Sequence, residues 1–185
     1  MLRICGGEKR GLRLFSPKVD WIRPTTERVR EALFSRLIHL IPDSRVLDLF
    51  AGSGILGLEA ISRGAKQAVF VDQNRQALQL VQKNLTKTGM DQKGITIKGS
   101  SVSSALYHQL TKKMLGPFDL IFLDPPYGKG LAEKALNQLT DSGLLASEVY
   151  VIVEQGSHDA EKIPSPWQVE EVRSYGSSEI VYCRL

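Results

Sequence analysis

The chain has 185 residues, 42% of them hydrophobic, enough for one sizeable core and short for two domains. It has no run of about 18 apolar residues, and Met1-Leu-Arg-Ile-Cys-Gly-Gly lacks a signal-peptide core, so a cytoplasmic protein is expected rather than a membrane-spanning or secreted one. The net charge is +4, and residues 1–40 hold nine Lys/Arg against four Asp/Glu; a basic leading lobe ahead of a nearly balanced body suits a polyanion docked at one end.

Residues 2–15 alternate loosely around Gly6-Gly7 and Gly11, which predicts a β-hairpin carrying Lys9, Arg10 and Arg13. Pro24-Thr25-Thr26-Glu27 reads as a helix start. Val29, Ala32, Leu33, Leu37 and Leu40 then recur at helical spacing and predict an amphipathic helix ending before Pro42. Arg28, Glu31 and Arg36 fall elsewhere on that wheel, toward solvent or RNA. Strand and helix patterns alternate from there. Strands are predicted at Val46–Phe50, Ala68–Val71, Ile95–Ile97 and Phe118–Leu123, with helices at about 55–63, 74–88, 102–114 and 131–140. Such a βαβ series implies a parallel sheet with right-handed crossovers. Strands at Glu148–Glu154, Gln168–Arg173 and Glu179–Arg184 follow, the last two joined through Tyr175-Gly-Ser-Ser178, so the sheet should finish antiparallel. The expected fold is α/β and Rossmann-like: seven strands, mostly parallel with an antiparallel last strand, helices on both faces. A single domain spans 1–185, with 1–22 as a basic hairpin extension and 24–41 as a leading helix.

Cys5 and Cys183 lie alone at opposite ends, which suits small buried hydrophobes better than a disulfide. His39, His108 and His158 show no ligand spacing, so no metal site is expected. Two stretches carry chemistry. The apolar strand Leu120–Leu123 stops at Asp124-Pro-Pro-Tyr127, because neither proline can donate to a sheet ladder and Pro125 holds Asp124 extended. At the carboxyl edge of an open sheet this stiff corner presents a carboxylate, the Pro125 carbonyl and an aromatic ring together. Acceptors at both N–H bonds of an exocyclic amine would localise its lone pair as it attacks, while Tyr127 stacks on the ring.

The second stretch is Asp48-Leu-Phe-Ala-Gly52-Ser-Gly54-Ile-Leu-Gly57, a glycine turn opening a helix, with Asp72 twenty residues beyond Gly52 at the end of the next strand. The pattern G-x-G-x-x-G also fits a dinucleotide site. Asp48 argues against a pyrophosphate and for an ammonium, and the chain leaves no second lobe for a hydride acceptor. Asp72 is the expected clamp for a ribose diol. Ser101-Val102 fall where an adenine edge would be read. Glu59 reads as an exposed helix acid and Glu154 as a strand-end acid, rather than as site residues.

With these residues in hand, the chain resembles class I S-adenosylmethionine-dependent methyltransferases, and within them the RsmD family. The likeness rests on Arg3-Ile-Cys-Gly-Gly7, Arg10-Gly11, Arg23-Pro-Thr-Thr-Glu-Arg-Val-Arg-Glu-Ala-Leu-Phe34, Leu47-Asp-Leu-Phe-Ala-Gly-Ser-Gly54, Gly57-Leu-Glu-Ala-Ile-Ser-Arg-Gly64, Lys83-Asn-Leu85 and Asp124-Pro-Pro-Tyr127. The resemblance implies methyl transfer from S-adenosyl-L-methionine, leaving S-adenosyl-L-homocysteine, to the N2 amine of one guanine in 16S ribosomal RNA, of the guanine-966 type. It implies cofactor binding by Asp48, Phe50, Ala51, Gly52, Gly54, Asp72, Gln73, Ser101 and Val102. It implies amine binding by Asp124, Pro125, Pro126 and Tyr127, and RNA contacts at Lys9, Arg10, Arg13, Arg23 and Lys129. It also implies a monomer acting on an assembled or assembling 30S subunit. The chain departs from the family's habit at Asp72, where Glu is usual, at Asn74, where Asp is common, and at Ser101, where Asp or Asn is common. An adenine-N6 methyltransferase and a non-catalytic RNA-binding assembly factor are the competing readings.

Overall fold

The computed structural model describes residues 2–16, 26–158, 160 and 162–185. Arg23, residues 17–22 of the hairpin extension and the first residues of the expected leading-helix segment lie outside them. Strands β1 (Arg45–Asp48), β2 (Gln67–Asp72), β3 (Gly94–Lys98), β4 (Phe118–Leu123), β5 (Leu145–Gly156), β6 (Gln168–Tyr175) and β7 (Ser178–Arg184) form one sheet in the order β3-β2-β1-β4-β5-β7-β6. Every pairing from β3 to β5 is parallel. β7 runs antiparallel between β5 and β6. The sheet thus finishes antiparallel as expected, with the last strand inserted rather than at the edge. Side chains explain the choice. Ile180–Cys183 are all buried and need a neighbour on each side, whereas β6 carries Glu170, Glu171 and Arg173 and tolerates an open edge.

Helices cover both faces. Alternate residues of each strand feed opposite cores: Leu120 and Phe122 join α1 (Glu27–Arg36), α2 (Ile55–Ser62) and α3 (Arg75–Thr88), while Ile121 and Leu123 join α4 (Ser104–Lys112) and α5 (Leu131–Thr140). That two-sided burial is why β4 reads as an unbroken apolar run. α1 starts as the capping residues suggest, with the Val29 N–H donating to Thr26 Oγ1 at 3.4 Å. It ends at Arg36, short of the predicted end: Leu37 caps it, and a turn through the half-exposed Leu40 feeds β1. α4 is also shorter than predicted, because residues 99–103 form a loop instead of a first helical turn. No helix among the described residues is long and apolar enough to cross a membrane.

The expected amino-terminal hairpin is a loop closed by a single antiparallel bridge, Arg3 to Arg13, with Ile4 N–H donating to Leu12 O at 3.0 Å and Leu14 N–H to Leu2 O at 2.9 Å. It caps the carboxyl end of α2. Glu8 N–H reaches the Ser62 carbonyl at 2.7 Å, Lys9 N–H reaches Ser62 Oγ at 2.9 Å, and that hydroxyl donates to Gly6 O at 2.6 Å. Gly7 (φ 75°) approaches so closely that a Cβ would collide with the Ser62 carbonyl.

Glu59 corrects the sequence reading. It is wholly buried, accepts from the Cys5 N–H and from Arg63 Nε at 3.3 Å, and lies 3.9 Å from Arg30 Nε. Arg30 is buried as well and donates to Arg3 O at 3.0 Å and to Cys5 Sγ at 3.3 Å. Hairpin, α1 and α2 therefore meet on one carboxylate that composition could not distinguish from a surface acid. Cys5 and Cys183 are both buried free thiols, in keeping with their reading as small hydrophobes. Because Glu59→Ala removes the buried carboxylate to which the Cys5 N–H and Arg63 both donate, it should cost about 3–5 kcal/mol. Urea unfolding of the variant checks this.

Candidate functional site

The strands of the parallel half end along one edge, and there a cavity of about 840 Å³ opens. Its first wall is the loop after β1. The loop hangs on both neighbouring strands, Leu49 N–H donating to Phe122 O at 3.1 Å and Ala51 N–H to Val71 O at 3.0 Å. Asp48, Phe50, Ala51 and Gly52 line the cavity, as do Asp72, Gln73, Ser101 and Val102 across it. Gly54 is expected at a ligand but does not line the cavity. It adopts φ 79° as the residue ahead of α2, and a Cβ there would meet Val81 at 3.0 Å. Gly57 lets α2 press on the Phe70 ring, into which a Cβ would run. Of the three spaced glycines, the first shapes the cavity and the other two permit close packing.

Asp72 has a task the sequence did not disclose. One oxygen accepts the Gly52 N–H at 3.0 Å and the other accepts the Asn74 N–H at 2.8 Å, so it braces the glycine loop. A carboxylate has about four acceptor sites, which leaves capacity toward the cavity. Asn74 itself caps α3, its side chain accepting the Gln76 N–H at 2.8 Å. Ser101 is buried, and its carbonyl receives the Tyr107 hydroxyl, which ties the loop after β3 to α4.

Asp48 is 1% exposed. Its Oδ2 accepts the Gly57 N–H at 3.2 Å, while Oδ1 has no hydrogen-bond partner among the described residues. Burial pushes its carboxyl up to about 7, opposed by the Gly57 N–H and assisted by the Asp72 charge. At the second wall, β4 delivers Asp124, then Pro125, Pro126 and Tyr127, all lining the same cavity. Burial, with the charges of Glu154 and Asp48, holds the Asp124 carboxyl well above the usual range. Glu154 is the residue whose part was underestimated. It lies within β5 and not at its end, is buried, and accepts the Tyr127 hydroxyl at 3.2 Å. Ser178 Oγ lies 3.1 Å from the same hydroxyl.

Of the basic candidates, Lys129 is exposed on the cavity wall. Lys9 sits at the far end of α2, a helix about 12 Å long at 1.5 Å per residue. Its ammonium pairs with Glu8 at 2.7 Å, and Arg10 and Arg13 are exposed beside it. The chain then runs back toward the cavity. Phe15 exchanges hydrogen bonds with the Asn84 side chain at 2.7 and 3.1 Å, and Asn84 also donates to Ser53 O, on the cavity wall, at 3.1 Å. Among the described residues Cys5, Glu27 and Glu31 bring ligand atoms within 4.8 Å of one another. They suit a metal poorly, because Arg3 holds Glu27 at 2.7 Å and burial raises the Cys5 thiol to about 11.

The model of the family described as "Conserved hypothetical protein 95" matches residues 2–184. The Escherichia coli (strain K12) protein "Ribosomal RNA small subunit methyltransferase D" is 38% identical over 178 residues, covering 95% of this chain and 85% of its own. The solved structure of yhhF from Escherichia coli superposes with a TM-score of 0.82 at 36% identity, covering 98% of this chain and 96% of that one. The rRNA methyltransferase aviRa from Streptomyces viridochromogenes superposes with a TM-score of 0.66 over 90% and 87% of the two chains; at 16% identity it speaks to the fold alone, which is that of class I methyltransferases.

The buried acid also sets a pH dependence. Asp48 titrates near 7 when folded and near 4 when unfolded, so folding takes up a proton between those values. Its contribution therefore turns unfavourable as pH rises from about 4 to 7 and stays so above. Asp48→Asn removes that penalty and should gain on the native protein by roughly 2–4 kcal/mol between pH 4 and pH 8. Urea midpoints at the two pH values read the difference.

Proposed function

Because this chain belongs to the family of the ribosomal RNA small subunit methyltransferase D proteins, we propose that it methylates the N2 amine of one guanine in 16S ribosomal RNA, of the guanine-966 type, using S-adenosyl-L-methionine. One observation carries the reading: a single cavity joins the Asp48–Gly52 loop and Asp72 to the Asp124–Tyr127 corner, and the buried Asp48 is among the residues that line it. A volume near 840 Å³ holds a nucleoside cofactor and a base together. The fit is also electrostatic, since the acids crowding this cavity call for a cation and the cofactor brings an ammonium and a sulfonium.

In this reading Asp48 faces the ammonium, and Asp72 offers its remaining acceptor sites to the ribose diol while bracing Gly52. The Phe50–Gly52 backbone and Gln73 flank the ribose, and Ser101 with Val102 meets the adenine. The bound cofactor supplies an electrophilic methyl group. Tyr127 stacks on a base turned out of the RNA, which offsets part of the few kcal/mol of unstacking. Asp124 and the Pro125 carbonyl accept the two amine N–H bonds and draw the nitrogen lone pair toward the methyl carbon. A cation beside Asp48 and Asp124 favours their ionised forms, so a loaded site makes Asp124 the better acceptor. Pro126 keeps the corner from folding back. The amine proton leaves after the C–N bond has formed. Lys129 on the rim, with Lys9, Arg10, Arg13 and Arg23, neutralises RNA phosphates, and a monomer works in the cytoplasm on an assembled or assembling 30S particle.

Incubation with unmodified 30S subunits and the cofactor, followed by nucleoside digestion, should yield N2-methylguanosine. N6-methyladenosine would transfer the assignment to adenine, and RNA binding without cofactor uptake in calorimetry would make the chain an assembly factor. Asp124→Ala should lower transfer at least about a hundredfold, with cofactor affinity within a factor of about three.

A further inference from the structure

Tyr127 meets the cavity with its ring, but little holds its backbone. It follows two prolines and precedes Gly128 (φ 70°), and no helix or strand forms again until α5 begins at Leu131. The residue is 39% exposed. What orients the ring is its tip: the hydroxyl donates to Glu154 Oε1 at 3.2 Å and lies 3.1 Å from Ser178 Oγ. Both anchors belong to paired strands. Glu154 in β5 sits opposite Ile180 of β7, and Ser178 opens β7 opposite Gly156 and Tyr175. The hydroxyl oxygen lies on the axis of the ring's second torsion, so anchoring it to two paired strands fixes where that axis points.

We infer that Glu154 is a positioning residue of this site, setting the direction of the Tyr127 ring axis, and through it the distance of the target amine from Asp124, before the base arrives. Ser178 is the second anchor. The inference rests on the preceding assignment of Tyr127 to the base. Burial raises the Tyr127 hydroxyl to about 12, which keeps it a donor at neutral pH and preserves the tether. A ring whose tip is free to swing would still stack, but would hold the amine at a spread of distances, which lowers turnover more than binding.

The test compares Glu154→Ala, Glu154→Gln, Tyr127→Phe, Ser178→Ala and the pairs Tyr127→Phe with Glu154→Ala and Tyr127→Phe with Ser178→Ala, on 30S subunits. Glu154→Ala and Tyr127→Phe should each lower kcat by about ten- to a hundredfold, with cofactor affinity and the KM for 30S within about threefold. Their combination should be no worse than the worse single variant, because both cut one tether. Glu154→Gln keeps an acceptor oxygen and should restore most of the lost kcat. Ser178→Ala should cost a smaller factor, and nothing further once the hydroxyl is gone. Multiplicative losses in the paired variants would overturn the inference, as would Glu154→Gln failing like Glu154→Ala with a shifted pH profile, which would make the Glu154 charge on Asp124 the cause. Should Glu154→Ala not fold, the Ser178→Ala pair decides by the same criterion. If the native protein forms no methylated guanosine, the preceding assignment fails instead.

Discussion

Three carboxylates carried by adjacent strands or just beyond them, Asp48, Asp124 and Glu154, impose the constraint on which this site depends. In the parallel register Asp48 of β1 stands beside Phe122 of β4, and Phe122 beside Ile152 of β5. Period two then places Asp124 and Glu154, each two residues on, toward the same side of the sheet as Asp48. Burial is the main cause of the upward shifts at Asp48 and Asp124, with the Asp72 charge adding to it at Asp48 and the charges of Glu154 and Asp48 adding to it at Asp124. A fold would not keep such a group without a use for it, because each buried acid lowers stability at neutral pH. Uptake of protons relieves the crowding.

The opposite end of the molecule solves a different problem with the same kind of group. Glu59 is buried too, but it is met by Arg30, Arg63 and the Cys5 N–H. Its role is attachment: it ties the amino-terminal loop and α1 to α2, and the chain then passes along α2 from Ser62 to the cavity rim at Ser53. The basic segment is thereby held in a defined position relative to the cavity edge. Buried acids in this protein thus occur in two settings, one beside arginines where three segments join and one along the cavity.

The glycines show a similar division. Gly52 opens the cavity wall and is held there by Asp72, whereas Gly54 and Gly57 exist to let α2 lie against Val81 and Phe70. A motif that reads as one binding signature is thus mostly a packing device, with one residue on the cavity wall and its brace 20 residues away.

Periodicity decided most of the architecture in advance. Two-sided apolar runs marked the parallel strands, and the 3.6-residue period marked α1 to α5. The proline pair marked where β4 must stop, so the Asp124–Tyr127 corner was legible from local chemistry. The glycine turn and Asp72 were legible too, because their spacing reflects one strand-helix-strand unit. Partnership was not legible. Glu59 and Glu154 have the same side chain and unremarkable neighbours in sequence, and both were read as ordinary acids. Only the tertiary structure buries both, pairs one with arginines and sets the other against Tyr127 and Asp124. It also decided that β7 lies inside β6 and that Asp72 braces the loop it faces. Local chemistry determines where a chain can bend, bury or stop, while the meeting of Glu154 with Tyr127, 27 positions away, or of Glu59 with the Cys5 N–H, 54 positions away, depends on the whole sheet closing in one register.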